Sequence, residues 1–284
     1  MVALERAGIP VERYYASEIE ECAMKVSQNN YPTIIQLGDV TKWKEWDIPW
    51  NEIDLLIGGS PCQGFSIAGK KLNFNDSRSR LFFEFVAILN HIQSINPNVK
   101  FLLENVKMPD NVSSKIDELM GVTHTYIDSR NFTGMIRKRY YWTNIDVNPI
   151  PQNDLKIRDI INNDLPYDKD MQFFLKRTKY APTTSRDGII TINPRDNNDK
   201  QTWQRGRVYD INGNCPTICA SLFDLNISAN HKTYRKLTIE ECEKLQGLPS
   251  GYTDGISYTE RGKVLGNGWT VDVISYIFSF LSNK

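Results

Sequence analysis

The sequence predicts an α/β fold: a mostly parallel sheet covered by helices, with a smaller, irregular strand-and-loop module set into it. Two observations predict this. Outside residues 151–235, short strand-like runs alternate with amphipathic helical ones. Inside that span the alternation stops. Its composition shifts to 13 Lys/Arg, 10 Asp, no Glu and 10 Asn, a net charge of +3 against −3 for the remainder, and strong helix formers are sparse. The expected division is a main domain over 1–150, the module over 151–235, and a return to the main domain over 236–284.

The elements follow in order. Residues 2–7 (VALERA) read as a helix closed by Gly8, 11–16 (VERYYA) as a strand, and 18–28 (EIEECAMKVSQ) as a helix. Residues 36–40 form a short strand and 54–58 (DLLIG) a buried one. Over 81–95, Leu81, Phe82, Phe85, Val86, Leu89, Ile92 and Ile95 make one helical stripe. Residues 100–106 (KFLLENV) and 140–145 (YYWTNI) are again strands.

Composition bounds what such a chain does. With 284 residues, 40% hydrophobic and 11% aromatic, it can bury a substantial core, which excludes wholesale disorder. No run reaches the ~18 apolar residues of a membrane span. No secretory signal opens the chain, so a cytoplasmic protein without a membrane partner is expected. Thirty-four basic and 34 acidic side chains cancel, so a polyanion would be held by local basic clusters. Five scattered cysteines without a CxxC pair suggest a reducing compartment and no metal site.

In a parallel sheet ligands sit beyond the carboxyl ends of the strands, so the polar residues there are the candidates. Ser17-Glu18 follows the first strand, Asp39 the second and Glu104-Asn105 a later one. Carboxylates on successive strand ends suit a nucleoside, one accepting from ribose hydroxyls and the other from an adenine amino group; helix capping is the plainer reading of each alone. The run from Gly58 to Ser66 places Pro61-Cys62 in a glycine-rich turn at the mouth of the sheet, where a thiol nucleophile would stand. No histidine lies nearby to form a Cys–His pair, which counts against a thiol protease, while Glu104 could serve as the acid that draws electrons from the target.

Gly59-Ser-Pro-Cys-Gln-Gly-Phe-Ser66, Glu104-Asn-Val106, Arg137-Lys-Arg139 and Gly266-Asn-Gly-Trp269, in that order, resemble the motif set of the DNA (cytosine-5) methyltransferases. Asn75-Asp-Ser-Arg78, Arg235-Lys-Leu-Thr238 and Leu245-Gln-Gly247 extend the likeness over nearly the whole chain, and Arg137-Lys-Arg139-Tyr-Tyr-Trp is similar to the animal de novo branch.

The resemblance implies a Rossmann-like, S-adenosylmethionine-dependent methyltransferase fold with a target-recognition segment over 151–235. It implies a monomer of a bacterial or phage restriction-modification kind acting on double-stranded DNA, with the target base flipped out. It makes Cys62 the nucleophile, Glu104 the group that holds a proton at ring nitrogen 3, and Arg139 the partner of the base carbonyl. Arg137 would support the loop or a phosphate. Glu18, Ile19, Asp39, Asn267 and Trp269 would hold the cofactor. Gln63 would fill the gap left by the base, and Lys70, Arg78, Arg205, Arg207 and Thr217 would meet DNA. An exposed basic turn for the two arginines and core packing for Trp269 are the plainer readings.

One departure stands out. The family's opening strand and Phe-x-Gly-x-Gly-like turn, which cradle the methionine end of the cofactor, have no counterpart here, so apolar sheet edges should be exposed. On that account a non-catalytic DNA-binding remnant is an alternative, and a related enzyme acting on RNA cytosine is another.

Overall fold

The computed structural model describes residues 1–59 and 80–281. Its central sheet has four strands in the order β3 (Leu55–Gly59), β4 (Lys100–Val106), β6 (Lys138–Thr143) and β5 (Thr125–Asp128). β3 and β4 run parallel, with Gly59 opposite Glu104; β6 lies antiparallel to both β4 and β5, with Glu104 opposite Tyr141. A separate pair of parallel strands, β1 (Tyr15–Ala16) and β2 (Ile35–Gln36), stands across a cleft from β3.

Alternation along β4 makes the sheet two-faced. Phe101 and Leu103 point to one side and Leu102 to the other, all three nearly inaccessible. On the first side lies α3 (Arg80–Ile95), whose Phe82, Phe85, Ile88, Leu89 and Ile92 recur at helical spacing and pack with Trp142 and Trp43. On the second lies the helix Val271–Ser279, whose Val273, Ile274, Ile277 and Phe278 meet Leu102, Ile127 and Tyr141. Helix α1 (Val2–Arg6) adds Ala3 and Leu4 to that layer, and α2 (Glu21–Asn30) connects β1 to β2. Each such buried side chain contributes ~1.5–3 kcal/mol before entropy is counted.

Several elements differ from expectation. The first two strands contract to two residues each, because β1 and β2 pair only with each other among the described residues. The stripe on α3 is centred one residue off: Ile88 is buried and Ile95 exposed. The strand expected over 140–145 spans 138–143. Asn144 ends it by sending its side-chain oxygen to the Phe101 N–H at 3.0 Å and its amide to the Val99 carbonyl at 2.9 Å. β3 is only half-buried and pairs on one side among the described residues, so Leu55 and Ile57 line the cleft, the apolar edge that was expected.

Residues 169–236 supply a second, six-stranded sheet of short strands, ordered 169–170, 233–236, 226–228, 208–210, 190–191 and 183–184. Its last long strand is locked to the helix Ile239–Leu245 by a buried bidentate pair, Arg235 to Glu241, with both contacts at 2.8 Å. Thr238 and Glu241 close a reciprocal cap at that helix's start. The helix Tyr258–Asn267 then returns toward the cleft. Gly266 permits this: a β-carbon there would lie 2.0 Å from the Ala220 backbone nitrogen. No described helix is long and apolar enough to cross a membrane.

Candidate active site

The cleft between β1 and β3 has a volume of about 1200 Å³, more than the ~300–1,000 Å³ typical of small-ligand sites. It opens where β1, β2, β3 and β4 end. Eight residues singled out from the sequence line it together: Glu18, Ile19, Asp39, Glu104, Arg137, Arg139, Asn267 and Trp269. Cys62, Gln63, Lys70 and Arg78 lie outside the described residues. Cys62 follows three residues after Gly59, the last residue of β3.

Glu104 is the buried carboxyl of the cleft, 8% exposed near the end of β4. Arg139, reaching across from β6, places Nε 2.6 Å from its Oε1. The Trp269 indole lies beside the same carboxyl. That indole lies against the end of β3, where a β-carbon on Gly59 would sit 2.9 Å from its nitrogen. Burial pushes the Glu104 carboxyl above its ordinary value, against the opposing pull of Arg139 and Arg137. The site therefore contains a carboxyl biased toward holding a proton.

Arg137 does a different job. It is 4% exposed, and its Nη2 donates to the carbonyls of Gly266 at 3.2 Å and Gly268 at 2.7 Å. These bonds bracket Asn267 and fix the loop that carries Trp269. Burial, with Arg139 nearby, lowers the Arg137 guanidinium to about 10.

The acidic wall is built by local turns. One oxygen of Glu18 accepts the N–H groups of Ile19 at 2.8 Å and Glu20 at 2.9 Å. One oxygen of Asp39 accepts the Thr41 N–H and hydroxyl, each at 2.9 Å, and caps the 3-10 turn Val40–Glu45. Those bonds hold Asp39 below the ordinary carboxylate range. The second oxygen of each has no partner among the described residues. Ile19, 69% exposed, presents a bare apolar side chain beside them.

A family model described as C-5 cytosine-specific DNA methylase matches residues 1–116 and 129–283. The chain belongs to that family. Family membership makes it a DNA (cytosine-5) methyltransferase, with S-adenosylmethionine as the methyl donor. It is 29% identical over 287 residues to the type II methyltransferase M1.ScrFI of Lactococcus lactis subsp. cremoris, covering 94% of this chain and 71% of that one. To the type II methyltransferase M.HhaI of Haemophilus parahaemolyticus it is 29% identical over 306 residues, covering 97% and 88%. The Dnmt2 methyltransferase of S. pombe shares the fold, with a TM-score of 0.67 at 16% identity over 99% of this chain and 94% of that one.

The three remaining candidates lie away from the methyltransferase cleft. The Thr217 hydroxyl donates to the Ile136 carbonyl, tying the 151–235 segment to the residue before Arg137. Arg207 spends Nε and Nη2 on the Thr202 carbonyl, at 3.0 and 2.7 Å. Arg205 is exposed and donates once, to the Ser221 carbonyl at 2.9 Å. Trp203, two residues before Arg205, is also exposed and was not among the candidates.

Proposed function

We propose that this cleft methylates carbon 5 of cytosine in double-stranded DNA through a covalent adduct with Cys62, the residues acting as follows. The reading is supported above all by the Glu104–Arg139 pair: a buried carboxyl 2.6 Å from a guanidinium, on the strand next to the one that leads into Pro61-Cys62.

Carbon 5 of cytosine is a weak nucleophile. The Cys62 thiolate adds to carbon 6, and the ring becomes enamine-like. Glu104 holds a proton at ring nitrogen 3 and accepts from the exocyclic amine, which lowers the energy of the charge that develops. Arg139 orients Glu104 and donates to the base carbonyl. Arg137 positions the 266–269 loop. After transfer the carbon 5 proton leaves, and elimination returns Cys62. The flipped base costs a few kcal/mol to extrude, and Gln63 fills the gap it leaves.

The cleft's free carboxylate acceptors and apolar wall fit S-adenosylmethionine at its nucleoside end. Glu18 and Asp39 each keep one carboxylate oxygen for hydroxyl or amino donors, and Ile19 offers a face to an aromatic ring. Asn267 and Trp269 close the other side. When bound, the group supplies an electrophilic methyl.

Residues 1–150 and 236–284 form the catalytic domain in this reading, and 151–235 the target-recognition segment, with Lys70, Arg78, Arg205, Arg207 and Thr217 serving the DNA side. The enzyme acts as a monomer in the cytoplasm, as a type II modification enzyme. Bisulfite sequencing of plasmid DNA exposed to the protein and S-adenosylmethionine tests it: protected cytosines in one sequence context are expected. Unprotected DNA would instead support a DNA-binding remnant.

A further inference from the structure

Of the six tryptophans, Trp43 and Trp142 are buried, Trp46, Trp50 and Trp269 half-buried, and Trp203 stands 89% exposed. Its carbonyl and the residues that flank it are nonetheless held by hydrogen bonds. Gly206 N donates to the Trp203 carbonyl at 2.8 Å, closing the 3-10 turn Gln204–Gly206. The preceding Thr202 N–H donates to the Pro194 carbonyl at 2.9 Å, and its hydroxyl to the Asn193 carbonyl at 3.0 Å. Arg207 grips the Thr202 carbonyl with two nitrogens. The Asn226 amide bonds the carbonyls of Arg205 and Arg207 at 3.2 and 3.1 Å.

A mobile surface tryptophan would need no explanation. An indole presented to water from a bonded turn forgoes the burial that aromatic rings gain elsewhere, and tryptophan is a residue type enriched where a protein meets a partner. The surroundings say which partner. From Lys200 to Tyr209 the chain carries Lys200, Arg205 and Arg207 and no acidic residue. Arg205 ties the turn to Ser221, whose neighbour Ala220 packs on Gly266 of the helix that closes the cleft. Thr217, on the same segment, is tied to Ile136. The turn that carries the indole is thus coupled to the catalytic frame through a short series of contacts.

We propose that Trp203 contacts the substrate duplex, its ring stacking on a base or entering a base step while Arg205 beside it meets a phosphate. This rests on reading 151–235 as the DNA-facing segment. A planar ring with one N–H gives stacking energy to any base and little sequence information. A duplex distorted by base extrusion offers it an exposed stacking face. Trp203 would hold the opened duplex, leaving sequence reading to neighbouring polar groups.

The test uses the full chain and a short, labelled, plasmid-derived duplex, with Trp203→Ala, Trp203→Phe and Arg205→Ala. Affinity comes from anisotropy, folding from thermal melts, and the Trp203 signal from wild-type emission minus that of Trp203→Phe. Trp203→Ala should melt like wild type and bind roughly tenfold or more weakly, the scale of one lost base–aromatic stack. Trp203→Phe should stay within a few-fold, and duplex should quench the Trp203 emission. Arg205→Ala should instead reduce the salt slope by about one phosphate. Equal affinity of wild type and Trp203→Ala, with unquenched emission, would overturn the proposal. So would a DNA-independent dimer that Trp203→Ala abolishes, since the ring would then face a second copy. A wild-type protein that methylates DNA while Trp203→Ala binds unchanged leaves the enzyme reading standing and removes this inference alone. One that binds no duplex removes both.

Discussion

Arg139 reaches from β6 to Glu104 on β4 with Nε 2.6 Å from Oε1, and both side chains lie on the wall of the same cleft. The pair has two opposing effects. Burial favours the neutral carboxyl, and the guanidinium favours the ionised one. Burial wins, so Glu104 retains its proton above the range of an ordinary glutamate while staying anchored by a cation.

Glu104→Gln should therefore lower turnover by about 10²–10⁴, the range for losing a general acid, with duplex affinity within a few-fold of wild type. Single-turnover methylation beside anisotropy measures both. A parallel loss of affinity would assign Glu104 a structural role.

The pH dependence has a definite sign. A carboxyl whose folded value is raised contributes its stability in full below the ordinary glutamate range and loses it as pH rises through the raised value. Single-turnover rates should fall on an alkaline limb above that range, as Glu104 gives up its proton. Arg139→Gln removes the largest ionising influence and should move the limb to higher pH. A limb that stays in place would separate it from Glu104.

Arg139→Ala should also cost up to about 3 kcal/mol of stability, the lower end for breaking a buried pair, since Arg139 is only partly buried. Urea melts of Arg139→Ala, Glu104→Gln and the double variant measure it. The double variant should recover part of the loss.

Gly266→Ala should destabilise by about 1–3 kcal/mol, because the new methyl meets the Ala220 backbone and no flexible side chain can yield. Gly206→Ala, where a β-carbon finds open space, is the control and should melt close to wild type.

The alternating core was legible because β4 and α3 carry strong periodicities: Phe101 and Leu103 against Leu102, and the Phe82–Ile92 stripe. Strand-end carboxylates were legible because position relative to a strand dictates which side chains reach a cleft. The rest depended on tertiary partners. That Arg137 would hold two carbonyls 129 and 131 residues away is not written in its own neighbourhood. Nor is the commitment of Arg207 to Thr202, which sets it apart from Arg205 although the sequence offered both alike as DNA contacts. Trp203 was hidden for the opposite reason, since aromatic residues predict burial and only the folded chain shows one left out.

The most direct measurement is covalent trapping with a duplex carrying 5-fluorocytosine at every cytosine of one strand, in the presence of S-adenosylmethionine. Fluorine at carbon 5 cannot leave as a proton does, so elimination stops. A denaturation-resistant adduct should form, peptide mass spectrometry should map it to Cys62, and Cys62→Ser should abolish it. Equal adduct yield from Cys62→Ser would contradict the account.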